Sequence, residues 1–276
     1  MSHLTQPLIA VSPVDSALED VCAFLLSKSN FVEAIGQGLR KSFDEVIDGA
    51  RTGRYRIEQL EKTEKTYIGT KVEILLRTEL ALERGNILDN LIVSHEVDTK
   101  FSLSGGWMIP REAIGRLCLL VQGDDNSGRF SVGILRMLPT VLTNGANQDG
   151  KKSVSAAGKL QIRWLVHSAP LPPNFLLHLP DEVRTRIMSQ SSGLQRIAEL
   201  FRSVTGQLIP RTAITQVAQQ HDPLRRARQM KDHLATEGFE ILCATYIADR
   251  SRFVAHGFSN FSSDDWLSIR RVPAIR

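Results

Sequence analysis

The stretch Ile87-Leu88-Asp89-Asn90-Leu91-Ile92-Val93-Ser94-His95-Glu96-Val97-Asp98-Thr99-Lys100-Phe101 decides how the chain is read. Its apolar members and period-two pattern predict a buried strand with acids to one side. Side chains alternate along a strand, which puts Val93, Val97 and Phe101, with His95 and Thr99, on one face. Ser94, Glu96, Asp98, Lys100 and Ser102 take the other. One face feeds a core, and the other is a row of charge.

Asp98, one spacer and Lys100 place a carboxylate beside an ammonium, and Asp89 lies upstream in the same run. The pattern Asp, then Asp-x-Lys, suits metal-dependent hydrolysis of phosphodiesters. A magnesium-type ion takes hard oxygen ligands, one or two carboxylates with waters and phosphate oxygens, so Asp89 and Asp98 are the candidate ligands. Lys100 would lower the pKa of an attacking water or stabilise charge on the phosphorane-like transition state. The spacing is also compatible with a half-solvated edge carrying an Asp/Lys pair.

Upstream, residues from about Thr63 to Arg84 carry Ile68, Val72, Leu75, Leu76 and Leu80 at helical intervals, with Gly85-Asn86 as a stop. Glu73 falls on the margin of that apolar face, beside Leu76 and Leu80, where it is either a third acidic ligand or a solvated helix acid. Ser16 to about Ile47 is also predicted to be helical, interrupted at Gly36 and Gly38. Asp48-Gly49 marks a turn, and Arg51-Thr52-Gly53-Arg54 a short basic loop that either touches phosphates or is solvated.

Downstream, Gly105-Gly106-Trp107 reads as a loop whose tryptophan wedges against a ligand or lids a core. Two apolar strands follow, Arg116 to Gln122 and Phe130 to Leu138, separated by the turn-rich Gly123–Gly128. Residues 143–159 are weakly patterned, and Ser168–Pro173 is too proline-dense for a helix or central strand. These features divide the chain into a domain of residues 1–167, a linker of 168–174 and a domain of 175–276.

In the second domain, helices are expected over Asn174–Met188, Leu194–Val204, Pro210–Gln220 and Asp222–Glu237, then a strand over Phe239–Tyr246. The fourth helix carries Arg225, Arg226, Arg228 and Lys231. Helix, short turn, basic helix, strand is the order of a winged helix-turn-helix, whose second helix enters a major groove. The fold class is thus α/β of the α+β kind: a mixed sheet with flanking helices, plus a winged helix.

Charge is distributed unevenly. Residues 151–276 hold 18 Lys and Arg against 10 Asp and Glu, a surplus of eight positive charges, whereas 1–150 carry a net −4. The second half is the expected polyanion grip. Cys22, Cys118 and Cys243 are too few and too far apart for a disulfide framework, and they suit a reducing cytoplasm. No run is long enough for a membrane span, and no leader is visible.

The sequence resembles the NaeI family of type II restriction endonucleases over most of its length. The likeness is carried by Asp48–Arg54, Gln59–Thr66 with Gly69-Thr70, Val72-Glu73-Ile74, Val97–Ser102, Trp107-Met108, Ile114-Gly115, Leu176–Pro180, Leu208-Ile209, Arg211 and Val217–Gln220, and it fades after about Arg228. The resemblance implies a homodimer that cuts both strands of duplex DNA with Mg2+ at a short G+C-rich palindrome like GCCGGC. It also implies a C-terminal domain resembling the CAP DNA-binding fold, which binds a second copy of the site and stimulates cutting. The family's catalytic set falls on Glu73, Asp89, Asp98 and Lys100, with the three acids as metal ligands. Arg51, Arg54, Arg211, Arg225, Arg226, Arg228 and Lys231 are the candidate DNA contacts. Two alternatives stay open: a nick-directed or repair endonuclease of the same fold, and a non-catalytic winged-helix regulator.

Overall fold

The computed structural model describes residues 15–271, which cluster into two compact units. The first unit comprises residues up to Gly36 with Glu73–Gly123 and Arg129–Pro170; the second comprises Gln37–Val72, Asp124–Gly128 and Leu171 onward. In chain order the helices are α1 (Ser16–Leu26), α2 (Phe31–Ile47), α3 (Gly49–Thr52), α4 (Lys62–Glu79), α5 (Ala156–Lys159), α6 (Asp181–Met188), α7 (Gly193–Ser203), α8 (Arg211–Ala218), α9 (Pro223–Thr236) and α10 (Ile247–Ala255). The strands are β1 (Glu83–Arg84), β2 (Asn90–Ile92), β3 (His95–Ser102), β4 (Met108–Ile109), β5 (Leu117–Asp124), β6 (Arg129–Arg136), β7 (Lys152–Ser153), β8 (Arg163–Pro170), β9 (Leu208–Ile209), β10 (Phe239–Cys243) and β11 (Trp266–Arg270).

The first unit is built on a six-stranded mixed sheet of order β1-β2-β3-β5-β6-β8. β2 pairs antiparallel with β3, β3 runs parallel to β5, and β6 and β8 are antiparallel. The parallel step places Asp98 beside Cys118 and Lys100 beside Leu120, so the centre of β3 is covered on both faces. Cys118, Leu120, Leu135, Met137 and Ile162 form a core against the sheet, closed by Trp107. The Trp107 ring is buried and its indole N–H donates to the Val121 carbonyl at 2.9 Å. Of the two readings of that residue, the lid on a core is the one that holds.

Three local expectations need correction. The stretch 87–101 is two strands, because Val93 and Ser94 adopt left-handed backbone (φ 47° and 65°) and reverse the chain. Gly36 and Gly38 lie inside the unbroken α2, and the helical break falls at residues 27–30. Helix α4 ends at Glu79, before Gly85, because Ala81 turns left-handed (φ 46°) and feeds β1. The proline-dense segment begins inside β8, where Pro170 ends an edge strand and its missing N–H costs no ladder bond.

The second unit packs Ile197, Phe201, Ile214, Val217, Ala227, Leu234 and Trp266 into one core. Its three-stranded antiparallel sheet has the order β10-β11-β9. Residues 174–180, expected as helix, precede α6, whereas α7, α8, α9 and β10 fall on the expected segments. Helix α10 and strand β11 are additions the sequence pattern does not reveal. Gly49 and Gly53 have no room for a side chain beside Gln216 and Gln219 at the end of α8, which explains two of the glycines in the Asp48–Arg54 motif. Among the described residues no helix is long and apolar enough to cross a membrane.

Candidate active site

The reversal at Val93-Ser94 changes what the acids can do. On one extended strand, Asp89 and Asp98 would stand about 30 Å apart at roughly 3.3 Å per residue. Folded back with Asn90 opposite Val97, the hairpin brings the two aspartates together. The Asp89 Oδ2 accepts the Thr99 N–H at 2.9 Å, which fixes that carboxylate across the β3 backbone. Asn90 bridges the same rung, donating to the Thr99 hydroxyl at 2.9 Å.

Lys100 gathers the set. Its Nζ lies 3.0 Å from Asp98 Oδ1, 3.3 Å from Glu73 Oε1 and 3.6 Å from Asp89 Oδ2, and it donates to the Thr99 carbonyl at 2.9 Å. Glu73 reaches it from α4, so the helix margin identified from the sequence does meet the hairpin. One ammonium thus faces three carboxylates at depth, a local excess of negative charge.

The titration behaviour follows from that excess. Asp98 is 3% exposed, and burial, together with the hydrogen-bonding Asp89 carboxyl, raises its pKa to about 7 against the attraction of Lys100. Burial also raises Glu73, again opposed by Lys100. The Lys100 ammonium is penalised by burial, but Asp98, Glu73 and Asp89 outweigh that and hold it above its ordinary value. Burial lifts the neighbouring Cys118 thiol well above the usual range, leaving a neutral wall 4.0 Å from Asp98.

A cleft of about 300 Å3 opens over Asp89, Asp98 and Lys100, with Arg77, Arg84 and Glu112 also on its lining. The two arginines were not singled out from the sequence. Arg77 was findable, since it stands four residues after Glu73 on one helix face; its Nε donates to Asn90 at 3.3 Å.

The donor set fits a hard divalent cation in part. Among the described residues no group of three or more His, Cys, Asp or Glu side chains is disposed to hold an ion. The Asp89/Asp98 pair nonetheless offers hard oxygens short of positive charge, and such ions commonly take one or two carboxylates and fill the remaining positions with water and phosphate oxygens.

The candidate DNA contacts divide by what they touch. Arg225 and Arg228 are exposed on α9 with no ion-pair partner among the described residues, and Arg226 bonds only to Gln229 at 3.1 Å. Arg51 is 85% exposed, 2.5 Å from Asp48. Arg54 is committed to Glu64 through two 2.9 Å bonds, and Arg211 sits 3.8 Å from Asp264. Lys231 points inward, 3.1 Å from Asp249 and over the Tyr246 and Trp266 rings.

Comparison with known proteins settles the kinship. Residues 21–276 match the family model described as restriction endonuclease NaeI. The chain belongs to that family. It is 40% identical over 231 residues to the type II restriction enzyme NaeI of Lentzea aerocolonigenes, covering 80% of this chain and 72% of that protein. The family-model match runs past Arg228 to residue 276, so α10 and β11 lie within the family's span.

Proposed function

We propose that this member of the NaeI family, a type II site-specific deoxyribonuclease, makes Mg2+-dependent double-strand cuts at a short G+C-rich palindrome resembling GCCGGC. The observation that carries the reading is the convergence of Glu73, Asp89 and Asp98 on Lys100, with Asp89, Asp98 and Lys100 lining an open cleft. A module that only bound DNA would gain nothing from carboxylates clustered where phosphates approach.

In this reading Asp89 and Asp98 hold the metal, with Glu73 at its margin. When bound, the ion polarises the scissile phosphate and offsets its charge. Lys100 orients the attacking water and stabilises the pentacoordinate phosphorus as the water oxygen bonds to it and the bond to the leaving oxygen breaks. Asp98 must be ionised to serve as a ligand, which its raised pKa makes sensitive to pH near neutrality. Arg77 and Arg84 supply positive charge at the cleft rim for the flanking phosphates.

The chain works as a homodimer, whose twofold axis matches a palindrome. Residues 1–167 carry the nuclease, 168–174 connect it, and 175–276 form a winged helix that binds a second copy of the site and stimulates cutting. Support for the winged helix is the order α7, β9, α8, α9, β10, α10, β11, a winged-helix order with α10 inserted between the last two strands, and the antiparallel sheet that closes it. In that arrangement α9 is the groove-facing helix, with Arg225, Arg226 and Arg228 outermost. Exposed Arg51 and Arg211 add further positive charge for DNA, whereas Arg54 and Lys231 would first have to leave Glu64 and Asp249 to reach a phosphate. The free, buried state of Cys22, Cys118 and Cys243 suits a cytoplasmic enzyme.

Digestion of a plasmid library of short palindromes with purified protein and Mg2+, with and without a second cognate duplex, tests this. Cuts at one G+C-rich hexamer, faster with added duplex, are expected. Cutting unaffected by the duplex removes the effector site; cutting without a palindrome favours a repair endonuclease; binding without cutting favours a regulator.

A further inference from the structure

The acidic row of β3 begins with Glu96, which shares the face of Asp98 and Lys100 but takes no part in their cluster. Its carboxylate is turned back onto the loop that precedes Asp89. Oε1 accepts the Asn86 N–H at 2.8 Å, Oε2 accepts the Leu88 N–H at 2.9 Å, and the Ile87 N–H lies 3.3 Å from both oxygens. One carboxylate satisfies three consecutive backbone donors, which are otherwise without a ladder or helix to join.

The loop it holds is the wall of the cleft. Gly85, Asn86, Ile87 and Leu88 line it together with Asp89. The loop is closed by the Gly85 N–H donating to the Asp89 carbonyl at 3.3 Å. A Cβ at Gly85 would collide with the Leu88 carbonyl and the Glu96 carboxylate, so the clamp requires glycine there. Leu88 is buried in the core while Ile87 stands 61% exposed, so the Leu88 side chain anchors only one end of the loop. Downstream, Asp89 is held by the β2–β3 ladder and by Thr99. Upstream, β1 pairs with β2 through Glu83 and Arg84, and between that pairing and Asp89 the Glu96 clamp holds the backbone of residues 86–88.

We propose that Glu96 is a positioning residue for the reaction: by binding the Asn86, Ile87 and Leu88 amides it holds Asp89 where it meets Asp98 and Lys100. The proposal rests on the reading of that cluster as the nuclease site. Glu96 acts through Asp89, in the way that groups behind a metal ligand commonly set its affinity or activity by 10–100-fold.

Three measurements on the full chain test it, using Glu96→Ala, Glu96→Gln and Gly85→Ala. Gln keeps one acceptor and turns a donor toward N–H groups, so it holds the loop only in part. In Glu96→Ala and Gly85→Ala, amide hydrogen exchange at residues 86–88 should rise at least about tenfold while the rest of the sheet stays protected. In the same variants the Mn2+ affinity measured by calorimetry should fall about 10–100-fold, and kcat should fall with KM for DNA unchanged. Glu96→Gln should fall between these and wild type on both scales. Unchanged exchange at 86–88 in both variants overturns the clamp. Faster exchange with Mn2+ affinity and kcat within twofold of wild type overturns the positioning role. Asp89→Ala separates the two readings: if it leaves Mn2+ binding intact, the assignment of the metal site fails, whereas loss in Asp89→Ala with none in Glu96→Ala removes only the proposal.

Discussion

The β2–β3 hairpin and the α8–α9 helix pair use charge in opposite ways. At the hairpin, Asp89, Asp98 and Lys100 are pressed together with Glu73 from α4, and the crowding shows: Asp98 is raised to about 7 while Lys100 is held above its ordinary value. On α9, Arg225, Arg226 and Arg228 stand in solvent with little to hold them. The first arrangement is costly to fold and suits chemistry, because buried charge short of a partner demands a cation or a proton. The second costs little and suits grip, because phosphates replace the counterions of exposed arginines. In the proposed reading the contrast separates the part of the chain that cuts from the part that holds.

The largest break in that comparison comes from the acids. Asp89→Ala and Asp98→Ala should each lower single-turnover cleavage by about 10^3-fold or more, with DNA binding in calcium retained within a fewfold. Loss of binding in step with cutting would mean the hairpin grips DNA rather than cutting it.

The next effect is on stability against pH. Asp98 has a folded pKa of about 7 against an ordinary 3.8, so in the window between them the folded chain binds more protons than the unfolded one. Its contribution therefore makes the metal-free protein less stable as pH rises from about 4 to about 7, with no further change above. Asp98→Asn should flatten that part of the thermal-midpoint profile and leave the protein more stable than wild type at pH 8 in EDTA. A wild-type profile that rises across this window, and is unaltered by the substitution, would contradict the buried acid cluster.

A smaller effect sharpens the other side. Replacing Arg225, Arg226 and Arg228 by Gln should shallow the log–log salt dependence of DNA binding by about 0.9 per lost phosphate contact, without altering the cleavage step of bound DNA. An unchanged slope would take α9 off the DNA.

The smallest concerns the turn itself. Val93 is a β-branched residue with φ 47°, 49% exposed, at a turn that favours Asn-Gly. Val93→Asn with Ser94→Gly should relieve left-handed strain by more than the added glycine costs in chain entropy, stabilising the protein by about 1 kcal/mol and leaving cleavage untouched. Destabilisation would show that the Val93 side chain is needed for packing.

That turn also marks the limit of what the sequence reveals. The pairing of Asp98 and Lys100, the helical margin of Glu73 and the strands β5 and β6 follow from periodicity, which depends on each element alone. The reversal at Val93-Ser94 does not, because neither residue is a usual left-handed one and the apolar run reads straight through it. So the acids were legible, but the hairpin that brings Asp89 to Asp98 was not. Arg84 and Glu96 were missed for a related reason: one reaches the cleft and the other the loop only because β1 and the Gly85–Leu88 segment fold over β3. In the second unit the helices α7, α8 and α9 were legible from spacing and caps, whereas α10 interposes between β10 and β11 and hides the sheet. Residues 37–72 cluster with 171–271, an association between segments far apart in the chain that no local pattern carries.

The most direct measurement is single-turnover cleavage of a GCCGGC duplex in Mg2+ by wild type and by Lys100→Ala, with DNA binding followed in parallel in calcium. The account predicts that both proteins bind, that wild type cuts both strands, and that Lys100→Ala cuts at least about 10^3-fold more slowly. Cutting by Lys100→Ala at the wild-type rate would contradict it, and would move the chemistry away from the β2–β3 hairpin.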